Sequence, residues 1–397
     1  MKTPPPEPLL PIRLGIMSNG DPADARTWSG VPNAILNDLE PMVDSVVYLP
    51  AAPVTPARRR WERFRKGFSR TLGHRALPAF DRGHLRRRTD SISETARRES
   101  VDAVLAITVD QFVAHVDLDV PIVHHSDTTF KGLENWYPEI TRLWPMTSRR
   151  GHDITREAIR RSAHSTYPSR WAAAQAIDTY GASEECTTVI PYGCNLRNPP
   201  GREDTLQRQI GSGECRLLFI GRDWNRKGGP LVLETLSVLR NRGVDASLTV
   251  VGTTPPKTDL PVKTIGFLNR QVPADLERYR SLWRDATFLF MPSRAETFGA
   301  VYAEAAANGV PSIALDIGGV GDAVIDGENG RLLSPNVNAE TCADTITELL
   351  QTPDAYEQLV RSSRDRYETT LNWNAWCKTT LGILETLISN GKKANHR

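Results

Sequence analysis

The chain lacks any stretch of 18 or more continuously apolar residues, so no segment reads as membrane-spanning. Cysteine is scarce: Cys186, Cys194, Cys215, Cys342 and Cys377 are odd in number and scattered, with no Cys-x-x-Cys pair. That pattern excludes a disulfide framework and a cysteine-based zinc site, and it points to reduced thiols. No His-x-x-x-His pair or His/Cys cluster has metal-ligand spacing, so no protein-bound metal and no cofactor are expected. The Gly-x-x-x-x-Gly-Lys-[Ser/Thr] phosphate loop is missing, as is the Gly-x-Ser-x-Gly nucleophile elbow. An excess of one charge is missing too: Lys+Arg number 49 and Asp+Glu 47, for a net charge of +2. Nucleic-acid binding needs a concentrated basic face, which this balance does not supply. Met1-Lys2-Thr3-Pro4-Pro5-Pro6 leads into a strand-like run without the apolar core of a signal peptide, so a cytoplasmic location is expected.

What the sequence does contain is an ordered α/β pattern. With 397 residues, 39% of them hydrophobic, it is long enough for two or three domains with their own cores. Short β-branched runs alternate with longer amphipathic ones, as in parallel sheets covered by helices. Strands are expected near 13–18, 44–49, 102–107, 121–125 and 187–191, then near 216–221, 247–252, 262–267, 286–293, 311–316 and 330–334. Between them lie helical stretches such as 229–240, where Leu231, Leu233, Leu236 and Leu239 share a face. Asn198-Pro199-Pro200-Gly201 and Gly211-Ser212-Gly213 flank a polar join with no strand or helix pattern. The expected division is a first domain over 1–197, a linker over 198–213, a second domain over 214–370, and a helical tail over 371–397. Trp373, Trp376, Leu381, Leu384 and Leu387 would bury one side of that tail.

Several loops carry residues suited to chemistry. In Met291-Pro-Ser-Arg-Ala-Glu296-Thr297-Phe298-Gly299-Ala300, continuing to Glu304 and Gly309, a buried strand runs through a polar turn into an Ala-rich helix. Ligands of open α/β sheets bind at the carboxyl ends of strands, where Glu296 falls. Gly299 lets a ligand approach the backbone, and the free amides at a helix start favour an anion. Glu296 and Glu304 could grip two hydroxyl-bearing parts of one ligand, although surface carboxylates at such spacing are common. In Gly221-Arg222-Asp-Trp-Asn-Arg226-Lys227-Gly228-Gly229, a strand ends at glycine and a loop with three cations opens a helix, a suitable surround for a phosphate. Gly318-Gly319-Val320-Gly321 lacks the third small residue of a dinucleotide fingerprint and comes late in its domain; it reads better as a tight turn presenting amides. Gly30 follows Trp28 at a helix start, and His124-His125-Ser126-Asp127 lies just past a strand, its adjacent histidines on opposite sides.

One segment breaks the charge balance. Between Arg58 and Arg88 twelve basic residues stand against Glu62 and Asp81, with Trp61, Phe64 and Phe68 at helical spacing. It reads either as a solvated helix with a loop or as a docking surface for an anionic membrane or a phosphorylated acceptor.

Together these motifs resemble the retaining glycosyltransferases of family 4, and the resemblance runs over nearly the whole chain. The family's Glu-x7-Glu element stands as Glu296–Glu304, its Arg/Lys phosphate pair as Arg222 and Lys227, and its acceptor-side glycine loop as Trp28-Ser29-Gly30-Val31-Pro32. Val189-Ile-Pro191-Tyr-Gly193-Cys-Asn195 and Val324-Ile-Asp-Gly327-Glu-Asn-Gly330 also fit. The resemblance implies a GT-B fold of two facing Rossmann-like domains, with the C-terminal helix packing back on the N-terminal one. It implies transfer of a hexosyl group from a nucleoside-diphosphate sugar to a hydroxyl of a saccharide, lipid-linked, phosphorylated or small-molecule acceptor, without metal. Arg222 and Lys227 would neutralise the diphosphate, Glu304 would hold the ribose and Glu296 the donor sugar. Gly30, Gly221, Thr297, Phe298, Gly299 and Ala300 would line the donor site, with Phe267 and Leu268 bordering the base. His125 would be catalytic, and Trp28 and Asp127 would face the acceptor. The location implied is cytoplasmic or peripheral at the inner membrane face. A nucleotide-sugar 2-epimerase of the same fold and a non-catalytic sugar-nucleotide or lipid-surface binding protein are the alternatives.

Overall fold

A computed structural model of the chain describes residues 10–77, 80–207 and 214–394. Residues 1–9 of the expected first domain, 78–79 in the basic segment, 208–213 of the expected linker and 395–397 of the tail lie outside the described residues. The chain divides into two compact units, Met1–Ile190 with Trp376–Arg397, and Pro191–Ala375. Among the described residues no helix is long and apolar enough to cross a membrane.

In the first unit, β1 (Leu10–Ser18), β2 (Val43–Tyr48), β3 (Ala103–Ile107), β4 (Ile122–His125), β5 (His164–Tyr167) and β6 (Thr187–Val189) form a six-stranded parallel sheet in the order β2-β1-β3-β4-β5-β6. All five residues of β3 are buried. A parallel strand covered on both faces has no solvent side to alternate with, which is why 103–107 reads as an unbroken apolar run. The register sets Ile107 beside both Ser18 and His125, and His125 beside Thr166, in one row at the carboxyl ends of the strands.

The strand not expected from the sequence is β5. Its residues His-Ser-Thr-Tyr form no apolar run, yet Ser165, Thr166 and Tyr167 are buried. Ordinary apolar patterning fails because Thr166 meets His125 through a side-chain hydrogen bond of 2.9 Å instead of through an alkyl surface. The C-terminal helix, Trp373–Ala394, contributes to this unit from Trp376 onward. Trp376, Cys377, Leu381 and Leu384 are buried, while Leu387 is only half-buried.

In the second unit, β7 (Glu214–Ile220), β8 (Asp245–Val251), β9 (Val262–Ile265), β10 (Phe288–Met291), β11 (Ser312–Leu315) and β12 (Gly330–Leu333) form a second parallel sheet, ordered β12-β11-β10-β7-β8-β9. Strand succession runs outward from β7 through β8 and β9, then restarts on the other side of β7 with β10. The strand order thus reverses between β7 and β10, and it is outside the carboxyl ends of strands at such a reversal that open α/β sheets bind ligands. The helix Gly229–Asn241 buries Leu231, Val232, Leu236 and Leu239 against the sheet, with Leu233 half-buried at the margin. In the expected linker a short helix, Arg202–Leu206, forms where no periodicity is legible. Arg364 holds it, donating to Pro200 O at 2.7 Å and to Thr205 Oγ1 at 3.3 Å.

The two parallel sheets with flanking helices are the α/β GT-B class expected from the motifs.

Candidate functional site

The loop after β7 is shaped by its glycines and by Asp223. Asp223 accepts the Arg226 amide on its side chain at 3.0 Å and the Lys227 amide on its carbonyl at 3.0 Å, which turns the chain back toward the sheet. Gly228 has φ +83°, and a Cβ there would lie 2.0 Å from the carbonyl oxygen of Pro292. Only glycine allows the two loops to close to that distance. The Arg294 amide then donates to Arg226 O at 2.7 Å, and the Arg226 guanidinium donates to Ala295 O at 2.7 Å. The β7 and β10 loops are thus stitched together backbone to backbone at the strand-order reversal.

That stitching brings Lys227 and Glu296 together. The Lys227 ammonium is hydrogen-bonded to the Glu296 carboxylate, and Arg226 stands 3.9 Å from the same oxygen. Glu296 is buried, and its own carbonyl accepts the Gly319 amide at 3.2 Å. The Gly318-Gly319 turn therefore spends one amide on fixing the Glu296 backbone. Lys227 and Arg226 thus face Glu296 beside the start of the helix Ala300–Ala307, with Asp223 on the other side of Arg226 at 3.9 Å. Gly299, at φ +88°, forms the entry to that helix, where a Cβ would strike the Tyr302 ring at 2.6 Å. Tyr302 is itself held by its hydroxyl donating to Met291 O at 2.8 Å. Thr297 and Phe298 are buried in the turn, with Phe298 edge-on to Tyr192 at 5.3 Å between ring centroids, and Ala300 is half-buried.

Arg222 does not join the pair. Its guanidinium lies over the Phe267 ring, 5.0 Å from the centroid, and Phe267 is 65% exposed, with Leu268 half-buried beside it. Gly221 keeps Lys227 close: a Cβ there would be 3.0 Å from Lys227 Cγ. Glu304 is buried deeper and is fully engaged. Arg270 donates to one of its oxygens at 2.6 Å and the Tyr279 hydroxyl to the other. The charge of Glu304 raises the Arg270 pKa above its ordinary value, and burial pushes the Tyr279 phenol well up. Arg226, Arg270 and Tyr279 are the partners that sequence reasoning did not single out. Arg226 was legible as one of three loop cations, whereas Arg270 and Tyr279 reach Glu304 from 34 and 25 residues away without a local signal.

The first-unit candidates have a different setting. His125 is completely buried, its Nδ1 2.9 Å from Thr166 Oγ1 and its ring edge-on to Trp376 at 5.0 Å. Burial, assisted by neighbouring His124, pushes its pKa down to about 3. His124 points the other way, to Asp110 at 2.9 Å. Burial opposes ionisation of Asp110, but His124, Thr155 and Ser126 outweigh it and hold the carboxyl below its usual range. Trp28 has φ +45° in the short turn Thr27–Gly30, and Gly30, at φ +82°, starts the helix Val31–Leu39; Trp28, Gly30 and Asp127 are half-buried. Among the described residues no group of three or more His, Cys, Asp or Glu side chains is placed to hold a metal ion.

Residues 214–352, from the first residue of β7 through the helix Ala339–Gln351, match the family described as Glycosyl transferases group 1. Over this segment the chain is similar to the group 1 glycosyl transferases. The D-inositol 3-phosphate glycosyltransferase of Nocardia farcinica is 28% identical over 67% of this chain and 61% of its own length. That of Rhodococcus erythropolis is 30% identical over 53% and 50%. The chain thus spans about half the length of such curated relatives. Among solved structures, the sucrose-phosphate synthase of Thermosynechococcus elongatus superposes with TM-score 0.67 at 18% identity, over 96% of this chain and 100% of that one. Anabaena HepE in complex with UDP superposes with TM-score 0.63 at 19% identity, over 95% and 100%. The matched segment contains the Lys227–Glu296 pair and the Arg270–Glu304–Tyr279 cluster, so the match covers the site built on the loops after β7 and β10.

Proposed function

We propose that this chain is a metal-independent, retaining hexosyltransferase that takes its sugar from a nucleoside diphosphate and gives it to a hydroxyl acceptor. One observation carries the reading: Lys227 and Arg226 meet Glu296 at the strand-order reversal, beside the helix entry at Gly299. Glycosyl transfer sends out a nucleoside diphosphate with growing negative charge. Fixed cations and helix-start amides stabilise that charge more in the transition state than in the ground state, so they supply what a metal otherwise would. Lys227, Arg226 and Arg222 would receive the diphosphate, with Glu296 set to accept hydrogen bonds from sugar hydroxyls. Glu304, oriented by Arg270 and Tyr279, would take the ribose. Acceptor attack from the side of the leaving phosphate, which takes the acceptor proton, needs no separate base. The acceptor would be a saccharide end, a lipid-linked glycan or a phosphorylated polyol, the last in keeping with the D-inositol 3-phosphate in the relatives' names. A lipid-linked acceptor would bring the enzyme to the inner face of a membrane.

The test is a thermal-shift panel of UDP, GDP, ADP and dTDP in the presence of a chelator. A ligand bound only by the folded state raises Tm by mass action, by about 2.7 kcal/mol of stability at a hundred times its Kd. At least one nucleotide is expected to stabilise the chain, and its sugar conjugate to be consumed only when an acceptor is added. A flat panel would sink the donor site, and conversion of the sugar isomer without any acceptor would establish the epimerase.

A further inference from the structure

The helix Pro56–Thr71 is turned inside out. At 100° per residue, Trp61, Phe64, Phe68 and the following Leu72 fall within an arc of about 80°. The four are 41%, 72%, 56% and 49% exposed. The side that packs on the protein is polar. It carries Arg58, paired with Glu62 at 3.2 Å and Asp81 at 3.8 Å, together with half-buried Arg65 and buried Ser69, whose hydroxyl accepts the Ala76 amide at 3.2 Å. Such an arrangement is opposite to that of a surface helix, which buries its apolar stripe.

The ridge extends beyond the helix. After the turn at Gly73 the backbone of Arg75 exchanges hydrogen bonds with Arg142 and Trp144, each at 2.9 Å, and the His74 and Trp144 rings lie 5.5 Å apart. This sets exposed Trp144 and Met146 across from Phe68, with a groove of about 280 Å³ between them and Arg65 on its wall. On the side of the helix away from the ridge Arg59, Arg63, Lys66 and Arg70 are exposed, and exposed Arg60 flanks the ridge beside Phe64. No carboxylate pairs with these five among the described residues, and Glu62, the single acid of the helix, is turned inward to Arg58.

We infer that this ridge is an insertion surface for an anionic lipid bilayer. Aromatic and aliphatic side chains along one side of a helix whose other solvent-facing side carries cations of one sign match a helix lying at a headgroup and acyl boundary: the rings enter the apolar layer while the long guanidinium side chains reach lipid phosphates. Trp61, with Arg58 and Arg65 stacked on its ring at 4.2 and 5.2 Å, places an amphipathic indole at the level where such rings settle. A second copy of the chain fits poorly, because it would set the same unpaired cations against one another. The inference rests on the disposition of this helix and not on the donor site.

Flotation of the full chain with vesicles, in the absence of nucleotide, tests it. Mixed phosphatidylglycerol and phosphatidylcholine vesicles are expected to carry the protein at low salt, and pure phosphatidylcholine vesicles to leave it behind. Phe64→Ser with Phe68→Ser should weaken partitioning by about tenfold or more, since both rings leave the apolar layer. Arg59→Gln with Arg63→Gln and Arg70→Gln should weaken it and flatten its salt dependence. Both variants alter exposed positions, and an unchanged Tm confirms that they fold. The inference is overturned by a parent chain that does not float, or by a Phe64/Phe68 variant that floats as well as the parent. Lipid-free dimerisation that the same double variant abolishes would assign the ridge to a second copy instead, and capture by an acidic polypeptide in place of vesicles would assign it to a protein. Nucleotide-induced stabilisation is read separately, so either reading can fail without the other.

Discussion

Replacing Lys227 by methionine removes one partner from a nearly buried ion pair, and the outcome can be worked through from the geometry. Glu296 is 7% exposed and would keep Arg226 at 3.9 Å as its nearest cation. Breaking a buried pair from one side typically costs about 3–5 kcal/mol, because the remaining charge loses its compensation. Arg226 and the adjacent helix start argue for the lower end, about 3 kcal/mol. For a unit the size of Pro191–Ala375 that corresponds to a fall in Tm of about 6–12 °C. Removing both charges, with Lys227→Met and Glu296→Gln together, should restore most of the loss, since no uncompensated carboxylate remains. Binding separates the two partners further. Lys227→Met deletes a charge-assisted contact to the diphosphate and should weaken the stabilising nucleotide about 10- to 100-fold. Glu296→Gln does the reverse: it releases Lys227 from its internal partner, so the bare nucleoside diphosphate should bind as tightly or more tightly while sugar transfer falls. Calorimetric titration of the two single variants reads both signs. If both weaken the nucleotide to the same degree, the pair does not form the phosphate site and the mechanism drawn from it is wrong.

Arg270 and Glu304 form a second such pair, and Arg270→Met should lower stability by about 3 kcal/mol, read as a lower urea midpoint with an unchanged m value. Adding Glu304→Gln should recover more than half of that, and strictly additive losses would show that the two side chains do not interact. A third measurement uses His125. Folding holds its pKa down to about 3, whereas an unfolded imidazole titrates near 6.5, so the unfolded chain takes up the proton first. The native state therefore keeps its full stability above about pH 6.5 and loses about 1.4 kcal/mol per pH unit as the pH falls toward about 3. His125→Asn should lose about 2 kcal/mol less than the parent between pH 7 and pH 5. Urea titrations at the two pH values check this, and parallel losses would mean that His125 titrates normally.

What the sequence could and could not disclose follows from the range of the interactions involved. β3 and β10 were legible because strands buried on both faces must be apolar throughout, and a continuous run needs no knowledge of neighbours. β5 was illegible for the complementary reason: its burial is made good by a partner, His125, that stands beside it only after the sheet has formed. The same division runs through the candidate site. Glu296, Gly299 and Glu304 could be proposed from one short stretch, as could the loop with Arg222, Arg226 and Lys227, since glycines and charges at the ends of strands mark the carboxyl edge locally. Which cation meets which carboxylate is decided by the crossing of two loops 69 residues apart in sequence, stitched by Arg294 to Arg226 and permitted by Gly228 against Pro292. The basic segment shows the limit most plainly. Its charge count and its helical aromatic spacing were both visible, yet they are compatible with a helix whose rings are buried. Only the inward turn of Arg58, Glu62, Arg65 and Ser69 shows that the rings face outward, which converts a charged helix into an amphipathic surface in need of a partner.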